Sequence, residues 1–430
     1  MKICVYGLWH LGCVTSACLA QLGHEVIGLD LQTDVIDDLK HSKPPVFEPG
    51  LEDLIRTNQD SGTLRFTPDP YDALHNAAVL WVTFDTPVDD EDNADVQSVL
   101  DAFDLIAGDI IDGALIIFSS QLPVGTTRLI YARFHDSYPE MTCYFAYSPE
   151  NLKLGKALQA FLDPDRIVIG TLSDGNEIFS PFFSSISEHL IWMSLESAEM
   201  TKHAINAFLA TSVTFANEIA SICEYVGANA KEVETGLKSE ERIGKKAYLG
   251  PGNAFSGGTL GRDITFLQKT GERFSFPAYL LHSVTESNNY HKTWICRTCI
   301  TILGNLYGKC ISILGLTYKP GTNTLRRSLA VELCVWLKRQ GAIVTAFDPA
   351  IIELPLALRN IFSLSANIVD CVSGAEVVII ATEWPEFRDL FRDTVVNGQG
   401  QIIIDPTGFL EKTISDYSNI HYYSVGRPFT

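Results

Sequence analysis

The sequence is poor in basic residues. Its 430 residues include 52 Asp and Glu against 32 Lys and Arg, which gives a formal net charge of −20. Such an excess of negative charge repels phosphate-rich polymers and anionic bilayers. The composition therefore argues against a nucleic-acid or membrane partner. A small anionic ligand remains compatible with it, because backbone amides and a few cations can hold one locally.

Long apolar runs are also missing. No run approaches the roughly 18 residues that a membrane span needs, and the first residues read as a strand rather than a signal segment, so we expect a cytoplasmic protein. The 10 cysteines are scattered, mostly within apolar runs. This distribution favours buried reduced thiols over a disulfide framework. Cys296 and Cys299 form one CxxC pair without a second pair nearby, so we predict no metal site.

What the chain does contain is one pattern that occurs twice. An apolar run broken by glycines (KICVYGLWHLG, residues 2–12) leads into a helix-compatible stretch and then into EVIGLD, which closes on Asp30. The same order returns from residue 309, as KCISILGL, a helical stretch, and AIVTAFDP with Asp348. Strand, glycine turn, helix and strand ending in an acid begin a dinucleotide-binding βαβ unit. The repeat predicts an enzyme that holds two nucleotide-like ligands, one at each end.

The remaining pattern indicates an α/β protein with two Rossmann-like, doubly wound parallel-sheet domains joined by a central helical domain. Short apolar runs with the rhythm of parallel strands lie in both halves of the chain. They are found at 78–84, 114–120, 144–148, 166–170, 376–382 and 401–405.

A single long helix is predicted between the two halves. Leu195 to Val226 contains neither glycine nor proline, has apolar residues at helical spacing, and is followed by Gly227 at the expected C-cap. We expect this helix to bridge the halves and to offer a homodimer surface; a helix buried within one subunit is the alternative. The predicted domains are 1–192 for a dinucleotide, 193–300 for helical dimerisation and 301–430 for a second nucleotide.

The first glycine turn predicts NAD as the cofactor. Gly7 suits the tight turn and Gly12 the close packing of helix on strand, whereas Trp9 occupies the position of the usual middle glycine. Asp30 can accept hydrogen bonds from both ribose hydroxyls, which favours NAD over NADP. His10 is interpreted as a loop residue over the ligand rather than a catalyst.

Polar segments follow the predicted strands and form a candidate ligand rim. Thr86, Gln121 and the Ser148–Asn151 segment come after apolar runs, and doubly wound sheets bind ligands at the carboxyl ends of their strands. Each segment alone is also compatible with ordinary turn chemistry.

Two further groups are candidates for catalysis and binding. Lys202 and Asn206 are four residues apart on the long helix, so they share a face and could hold an oxyanion or a reactive water. Taken alone, a solvated lysine is the alternative. Residues 250–263 (GPGNAFSGGTLGRD) form a glycine-rich loop that can lay backbone amides against a ligand.

This set of motifs, in this order, resembles the UDP-glucose/GDP-mannose dehydrogenase family over essentially the whole chain. The segments that carry the resemblance are PPVFEPGLEDLI (44–55), SSQLPVGTT (119–127), SPENLKLGKA (148–157), DPDRIVIG (163–170), EMTKHAINAFLAT (199–211), FANEIA (215–220), ERIG (241–244), GLTYKPGTNTLRRS (315–328) and ATEWPEF (381–387).

The resemblance implies NAD-dependent oxidation of C6 of a nucleotide-linked hexose from alcohol to acid, and a role for individual residues. The catalytic residues implied are Lys202, Asn206, Asp263, Glu150 and Thr259. The cofactor residues are Gly7, Leu11, Gly12, Asp30, Thr86, Gln121, Arg262 and Arg326. The substrate residues are Glu150, Asn151, Leu152, Lys202, Asn206, Arg242, Phe255, Gly257 and Lys319, with Arg242 reaching the substrate of a neighbouring subunit.

One departure from the family pattern bears on the reaction. Thr259 stands four residues before Asp263, where the family carries the cysteine whose thiolate attacks the intermediate aldehyde. A hydroxyl is a poor substitute, because its pKa lies far above that of a thiol. Other departures are Trp9, Gln121, Leu154, Arg262 and the Asn323–Thr324 pair.

Three functions therefore remain open at the level of the sequence. The first is complete oxidation through a hydrated aldehyde, with Lys202 and Asp263 activating the water. The second is a single oxidation that releases a 6-aldehyde. The third is a non-catalytic protein that binds NAD or a sugar nucleotide. UDP-glucose is the default substrate, with UDP-N-acetylhexosamines and GDP-mannose as alternatives.

Overall fold

The chain divides into two units, Met1–Ile205 (unit 1) and Asn206–Thr430 (unit 2). The computed structural model describes residues 1–84, 86–87, 95–150, 152, 154–172, 175–389, 401–414 and 420–428. The finer division into domains at 1–192, 193–300 and 301–430 stays a prediction.

Unit 1 contains an eight-stranded sheet with the order β3-β2-β1-β4-β5-β6-β7-β8. Its strands are β1 (Lys2–Tyr6), β2 (Glu25–Leu29), β3 (Leu64–Thr67), β4 (Val79–Val82), β5 (Leu115–Phe118), β6 (Tyr144–Tyr147), β7 (Ile167–Thr171) and β8 (Leu190–Ser194). The first six pair in parallel, in the 3-2-1-4-5-6 order of a dinucleotide-binding sheet. The parallel prediction has one exception, since β6 and β7 pair antiparallel.

Helices cover both faces of this sheet. They are α1 (His10–Gln21), α2 (Thr33–Lys40), α3 (Leu51–Asp60), α4 (Pro70–Leu74), α5 (Val96–Ile106), α6 (Thr126–Ser137), α7 (Ala157–Leu162) and α8 (Gly175–Phe183). Successive strand residues point to opposite faces, so β1 contributes Tyr6 to one hydrophobic core and Val5 to the other. Burial on both faces explains why these strands read as continuous apolar runs.

The predicted long helix is confirmed. Helix α9 covers Leu195–Val226, the span expected from the absence of glycine and proline. Gly227 follows with a φ of +78°, a backbone conformation that glycine adopts without a steric penalty.

Unit 2 repeats the α/β architecture around a six-stranded parallel sheet of order β11-β10-β9-β12-β13-β14. Its strands are β9 (Cys310–Leu314), β10 (Ile343–Phe347), β11 (Ser363–Leu364), β12 (Val377–Ile380), β13 (Gln401–Ile404) and β14 (Ile420–Tyr423). Its helices after α9 are α10 (Ala230–Ser239), α11 (Arg262–Arg273), α12 (Tyr279–Lys292), α13 (Trp294–Leu303), α14 (Leu329–Arg339), α15 (Ile368–Val372) and α16 (Glu411–Ile414). The second βαβ repeat is therefore β9–α14–β10.

All ten cysteines carry free thiols, and eight of them are buried. Burial raises the pKa of Cys299 and of Cys334 to about 12, so these thiols are inert. The expected burial of most cysteines is confirmed, and Cys296 and Cys299 are both free. No helix in the part of the chain that the structure describes is long and apolar enough to cross a membrane.

Candidate functional site

The glycine turn after β1 can accept only glycine at two of its positions. Gly7 has a φ of +98°, and a Cβ there would lie 2.6 Å from Phe84 Cδ1. A Cβ on Gly12 would lie 2.0 Å from the carbonyl oxygen of Gly7. Trp9, at the middle position, has a φ of −83° and is the N-cap of α1. The backbone therefore takes a tryptophan there without strain, and the residue is 48% exposed.

Asp30 lies directly after β2, beside this turn. Its Oδ2 accepts a hydrogen bond from the backbone N–H of Leu8 at 2.9 Å, and its Oδ1 accepts one from Gln32 at 3.0 Å. The residue is half-buried, and each carboxylate oxygen has a second lone pair. It can therefore fix the turn and still accept from ribose hydroxyls.

The next two strand ends present hydroxyl groups that lack partners. Thr86 follows β4 and Ser120 follows β5; both side-chain oxygens are buried and have no hydrogen-bond partner among the described residues. A buried, unpaired hydroxyl is costly, so such groups indicate a missing ligand or water. Gln121 comes next in the same loop and is half-buried.

Glu150 and Lys202 form the ionic centre of unit 1. The Lys202 ammonium donates to the backbone oxygen of Glu150 and to its Oε1, both at 2.7 Å. The other carboxylate oxygen of Glu150 accepts from the backbone N–H of Leu152 at 2.8 Å. The structure thus brings together three residues that the sequence predicted for the site; Asn151 lies outside the described residues.

A cavity of about 70 Å³ in unit 1 is lined both by a predicted cofactor residue and by predicted substrate residues. Leu11, which was predicted for the cofactor, and Glu150 and Leu152, which were predicted for the substrate, all line it. Its other walls include Trp81, Ser119 and Arg166.

Sequence reasoning missed two residues of α9 that hold the loop after β5. Buried Glu199 accepts hydrogen bonds from the backbone N–H of Thr127 at 2.8 Å and from its hydroxyl at 2.6 Å, and from the N–H of Gly125. Burial raises the pKa of the Glu199 carboxyl. His203 Nε2 lies 2.9 Å from the carbonyl oxygen of Leu122. The signal was present in EMTKH (199–203), where Glu199 and His203 are four residues apart and therefore share one face of the helix.

Glu48 was also missed, although it belongs to the quoted FEPG segment. It is 3% exposed, and its carboxylate accepts from the backbone N–H groups of Gly155 and Ala157, both at 2.8 Å. His10 Nε2 lies 3.0 Å from the same carboxylate. Glu48 therefore links the start of α1, through His10, to the loop that follows Leu152.

Unit 2 contains a cavity of about 710 Å³, a volume typical of a small-molecule site. Its walls include four cationic side chains, Lys292, Arg297, Lys319 and Arg327. Glu332 is the carboxylate among its described lining residues. In a chain with a net charge of −20, this local excess of positive charge suits an anionic ligand.

The glycine-rich loop forms one wall of this cavity. Phe255 and Thr259 line it, and Gly257–Gly261 form one π-helical turn, which leads directly into α11. Such turns are frequent at functional sites. Arg262 begins α11, and its buried Nε has no hydrogen-bond partner among the described residues.

Asp263 is fully buried at the start of α11 and accepts a hydrogen bond from the side-chain amide of Asn206. This contact places the end of the glycine-rich loop beside α9 within unit 2. Lys202 makes its bonds in unit 1, to Glu150.

Two predicted arginines lie away from the cavity wall. The Arg242 side chain is 88% exposed, with its Nε 2.8 Å from Glu240 Oε1. Arg326 is exposed, and the neighbouring Arg327 lines the cavity instead. The assignment of Arg326 to the cofactor stays a prediction.

Together, these features define a dinucleotide-dependent oxidoreductase whose first sheet suits NAD and whose second unit offers a cationic cavity. The chain belongs to the UDP-glucose/GDP-mannose dehydrogenase family. The NAD binding domain of that family matches residues 1–186, its central domain matches 196–290, and its UDP binding domain matches 312–412.

Similar proteins extend over the whole chain. UDP-glucose 6-dehydrogenase from Rhizobium meliloti (strain 1021) is 33% identical over 438 residues, covering 100% of both chains. UDP-glucose 6-dehydrogenase TuaD from Bacillus subtilis (strain 168) is 32% identical over 435 residues, covering 99% of this chain and 93% of its own. A solved UDP-glucose dehydrogenase from Pyrobaculum islandicum superposes with a TM-score of 0.87 at 27% identity, covering 99% of this chain and 98% of its own.

The protein is an NAD-dependent nucleotide sugar dehydrogenase, and the residues of unit 1 fit the cofactor. The glycine turn leaves no room for a Cβ at Gly7 or Gly12, Asp30 retains acceptor capacity, and Thr86 and Ser120 present unpaired hydroxyls. NAD supplies the acceptor for the hydride that leaves the substrate carbon.

Proposed function

We propose that this protein oxidises C6 of a nucleotide-linked hexose to the acid, with UDP-glucose as the default substrate. The observation that carries the proposal is the cavity of unit 2, whose four cations suit a diphosphate and whose wall holds Thr259. The names of the relatives, UDP-glucose 6-dehydrogenase, support the same substrate.

We assign the proton chemistry to two held polar groups. Lys202 donates two of its three N–H groups to Glu150. We assign the third N–H to the oxygen on the reacting carbon of the substrate. Asp263 is fixed by Asn206 and can take a proton from a water that adds to the aldehyde. Hydration of the aldehyde gives a gem-diol, from which a second oxidation yields the acid.

Thr259 favours this route over a covalent one. Its hydroxyl cannot act as the thiolate does, because an alcohol is scarcely ionised near neutral pH. The same observation favours one alternative, in which the enzyme stops after the first oxidation and releases the 6-aldehyde.

The deciding experiment counts NADH formed per sugar nucleotide consumed, with excess NAD and a panel of UDP- and GDP-hexoses. Two NADH per sugar support complete oxidation, and one supports aldehyde release. Absence of NADH across the panel, with calorimetric binding of the sugar nucleotide, would instead support a binding protein.

The Thr259→Cys variant distinguishes the two catalytic routes. If the wild type releases aldehyde, the thiol should form a thiohemiacetal and raise the NADH yield from one towards two per sugar. If the wild type already completes both steps through the hydrate, the yield should stay at two. Thr259→Ser is the matched control, since it keeps a hydroxyl and should leave the yield as it is.

We also propose a homodimer formed through the unit 2 portion of α9. Phe208, Phe215 and Ile222 recur every seven residues and are 71%, 45% and 55% exposed, and Tyr225 extends the stripe at 86%. An apolar stripe at heptad spacing is the pattern of a helix that packs on another copy of itself. Sedimentation should therefore show a dimer, and Phe215→Glu should convert it towards monomer.

The exposure of Arg242 is consistent with this assembly. Its side chain is 88% exposed and pairs with Glu240, which leaves it at the surface of its own subunit. We propose that it reaches the substrate held by the second copy. Arg242→Ala should then raise the KM for the sugar nucleotide in the dimer while leaving the KM for NAD unchanged.

A further inference from the structure

Three buried side chains of unit 2 converge on one turn of the glycine-rich loop, Gly252–Phe255. Asn217 comes from α9, and Asn288 and His291 come from α12. They are only 2%, 3% and 7% exposed. We call these three residues the frame.

The frame makes five hydrogen bonds, all to backbone atoms of the turn. Asn217 Oδ1 accepts from the N–H of Gly252 at 2.9 Å, and its Nδ2 donates to the oxygen of Asn253 at 3.3 Å. Asn288 Oδ1 accepts from the N–H of Phe255 at 3.0 Å, and its Nδ2 donates to the oxygen of the same residue at 2.9 Å. His291 Nε2 lies 2.8 Å from the oxygen of Gly252.

The chemistry of these bonds fixes the orientation of each side chain. A carbonyl oxygen only accepts, so His291 Nε2 must carry a proton. Asn288 both accepts from and donates to one residue, as a neighbouring strand would. A side chain that satisfies backbone donors and acceptors in this way specifies one conformation of the turn.

The turn that is held in this way faces the cavity. Gly252, Asn253, Ala254, Phe255 and His291 all line the cavity of about 710 Å³. Ordering the backbone of this turn, which begins at Gly252, costs conformational entropy. If that loss occurs on folding, it does not weaken ligand binding later.

We propose that Asn217, Asn288 and His291 are positioning residues for the sugar nucleotide, because they fix the Gly252–Phe255 turn as a wall of its site before the ligand arrives. The inference rests on the proposed function for the identity of the ligand. Loss of the frame should weaken binding of the sugar nucleotide and leave binding of NAD, in unit 1, unchanged.

Calorimetry with UDP-glucose in the absence of NAD tests the proposal, because no turnover occurs. Asn288→Asp keeps the shape and the acceptor but replaces the donor to the Phe255 oxygen by a carboxylate oxygen. His291→Phe keeps the ring but removes the donor. Both should raise the Kd for UDP-glucose by about tenfold or more and leave the Kd for NAD within about twofold of wild type.

His291→Gln and Gln268→Glu complete the design. The side-chain amide introduced by His291→Gln can still donate to the Gly252 oxygen, so this variant should restore the Kd to within about threefold of wild type. Gln268 is a buried amide that donates to Leu281 O and Thr285 Oγ1 between α11 and α12, away from the turn. Gln268→Glu should lower thermal stability without changing the Kd. Shifts in the frame variants no larger than in this control would overturn the proposal.

A second measurement separates the frame from the choice of ligand. If wild type does not bind UDP-glucose, the proposed substrate is wrong, and hydrogen exchange then decides the frame. The amides of Gly252 and Phe255 should exchange about tenfold faster in Asn288→Asp than in wild type. Equal exchange in the two proteins would overturn the frame whatever the ligand.

Discussion

The two glycine turns of this chain have the same local design and different uses. In unit 1 the carboxylate of Asp30 accepts from the N–H of Leu8, and in unit 2 the carboxylate of Asp348 accepts from the N–H of Leu316. In both, the acid directly follows the second strand, and its carboxylate oxygen fixes the residue after the glycine. The two turns differ in how much of the carboxylate remains for a ligand.

The Asp348 carboxylate accepts most of its hydrogen bonds from groups within its own unit, which leaves little of it for a ligand. Besides Leu316, it accepts from the N–H and hydroxyl of Thr317 at 2.9 and 3.1 Å and from the indole N–H of Trp384 at 3.0 Å, and the residue is 2% exposed. Asp30 has two backbone donors and is half-buried. The same motif can therefore bind a cofactor or hold a fold, and its surroundings decide which.

Replacement of Asp348 by alanine should have the largest effect on stability. It removes the shared acceptor of several buried donors in unit 2, and each stranded donor costs about 1–3 kcal/mol. We expect a loss of about 3 kcal/mol or more, which corresponds to a melting temperature lower by about 6–12 °C for a unit of this size. Differential scanning calorimetry measures it.

Asp348→Asn is the matched control, because its amide oxygen keeps one acceptor for the turn. It should lose less stability than the alanine variant. If Asp348→Ala melts with wild type, the acid does not hold the turn and the contrast with Asp30 fails.

Replacement of Asp30 by alanine should act chiefly on the cofactor. It strands fewer backbone donors, so stability should fall by only about 1 kcal/mol. The variant removes the proposed acceptor of the ribose hydroxyls, so the KM for NAD should rise about tenfold or more while UDP-glucose binding stays the same. The preference for NAD over NADP should shrink too, which initial rates with both cofactors would reveal.

Local sequence patterns predict much of this architecture. Helix α9 could be placed from Leu195 to Val226 because the absence of glycine and proline is a local property. The need for glycine at residues 7 and 12 followed from the βαβ motif, and the close approach of neighbouring atoms explains it. The motif alone also implied a nucleotide at each end. It did not indicate that buried donors of unit 2 occupy the Asp348 carboxylate.

The frame and the side chains of α9 that hold the loop after β5 could not be predicted in the same way. Glu199 binds a loop 72 residues earlier, and His291 binds a carbonyl 39 residues earlier. Their partners are backbone atoms, which have no identity in the sequence. Such residues look like ordinary polar positions of a helix until the tertiary fold places a backbone group against them.

The smallest expected effect is on the pH dependence of stability and concerns His291. This residue holds the cavity wall of unit 2 through Gly252, whereas Asp348 holds the glycine turn after β9. Burial, the largest cause, lowers the pKa of His291 from its usual 6.5; the bond to the Gly252 oxygen opposes this, and Arg297 adds to it. The unfolded chain therefore takes up a proton more readily than the native protein. This residue favours the native state above about pH 6.5, and that contribution is lost as the pH falls towards the lower native pKa.

His291→Gln cannot titrate, so the difference between its melting temperatures at about pH 7.5 and 5.5 should be smaller than that of wild type. The exposed His421 supplies the control, and His421→Gln should keep the wild-type difference. An unchanged difference in His291→Gln would show that the ring accepts its proton as readily inside the protein as outside. The hydrogen bond to the Gly252 oxygen would then cancel the effect of burial on the His291 pKa. The cavity wall of unit 2 would in that case accept a charged imidazolium despite the neighbouring Arg297.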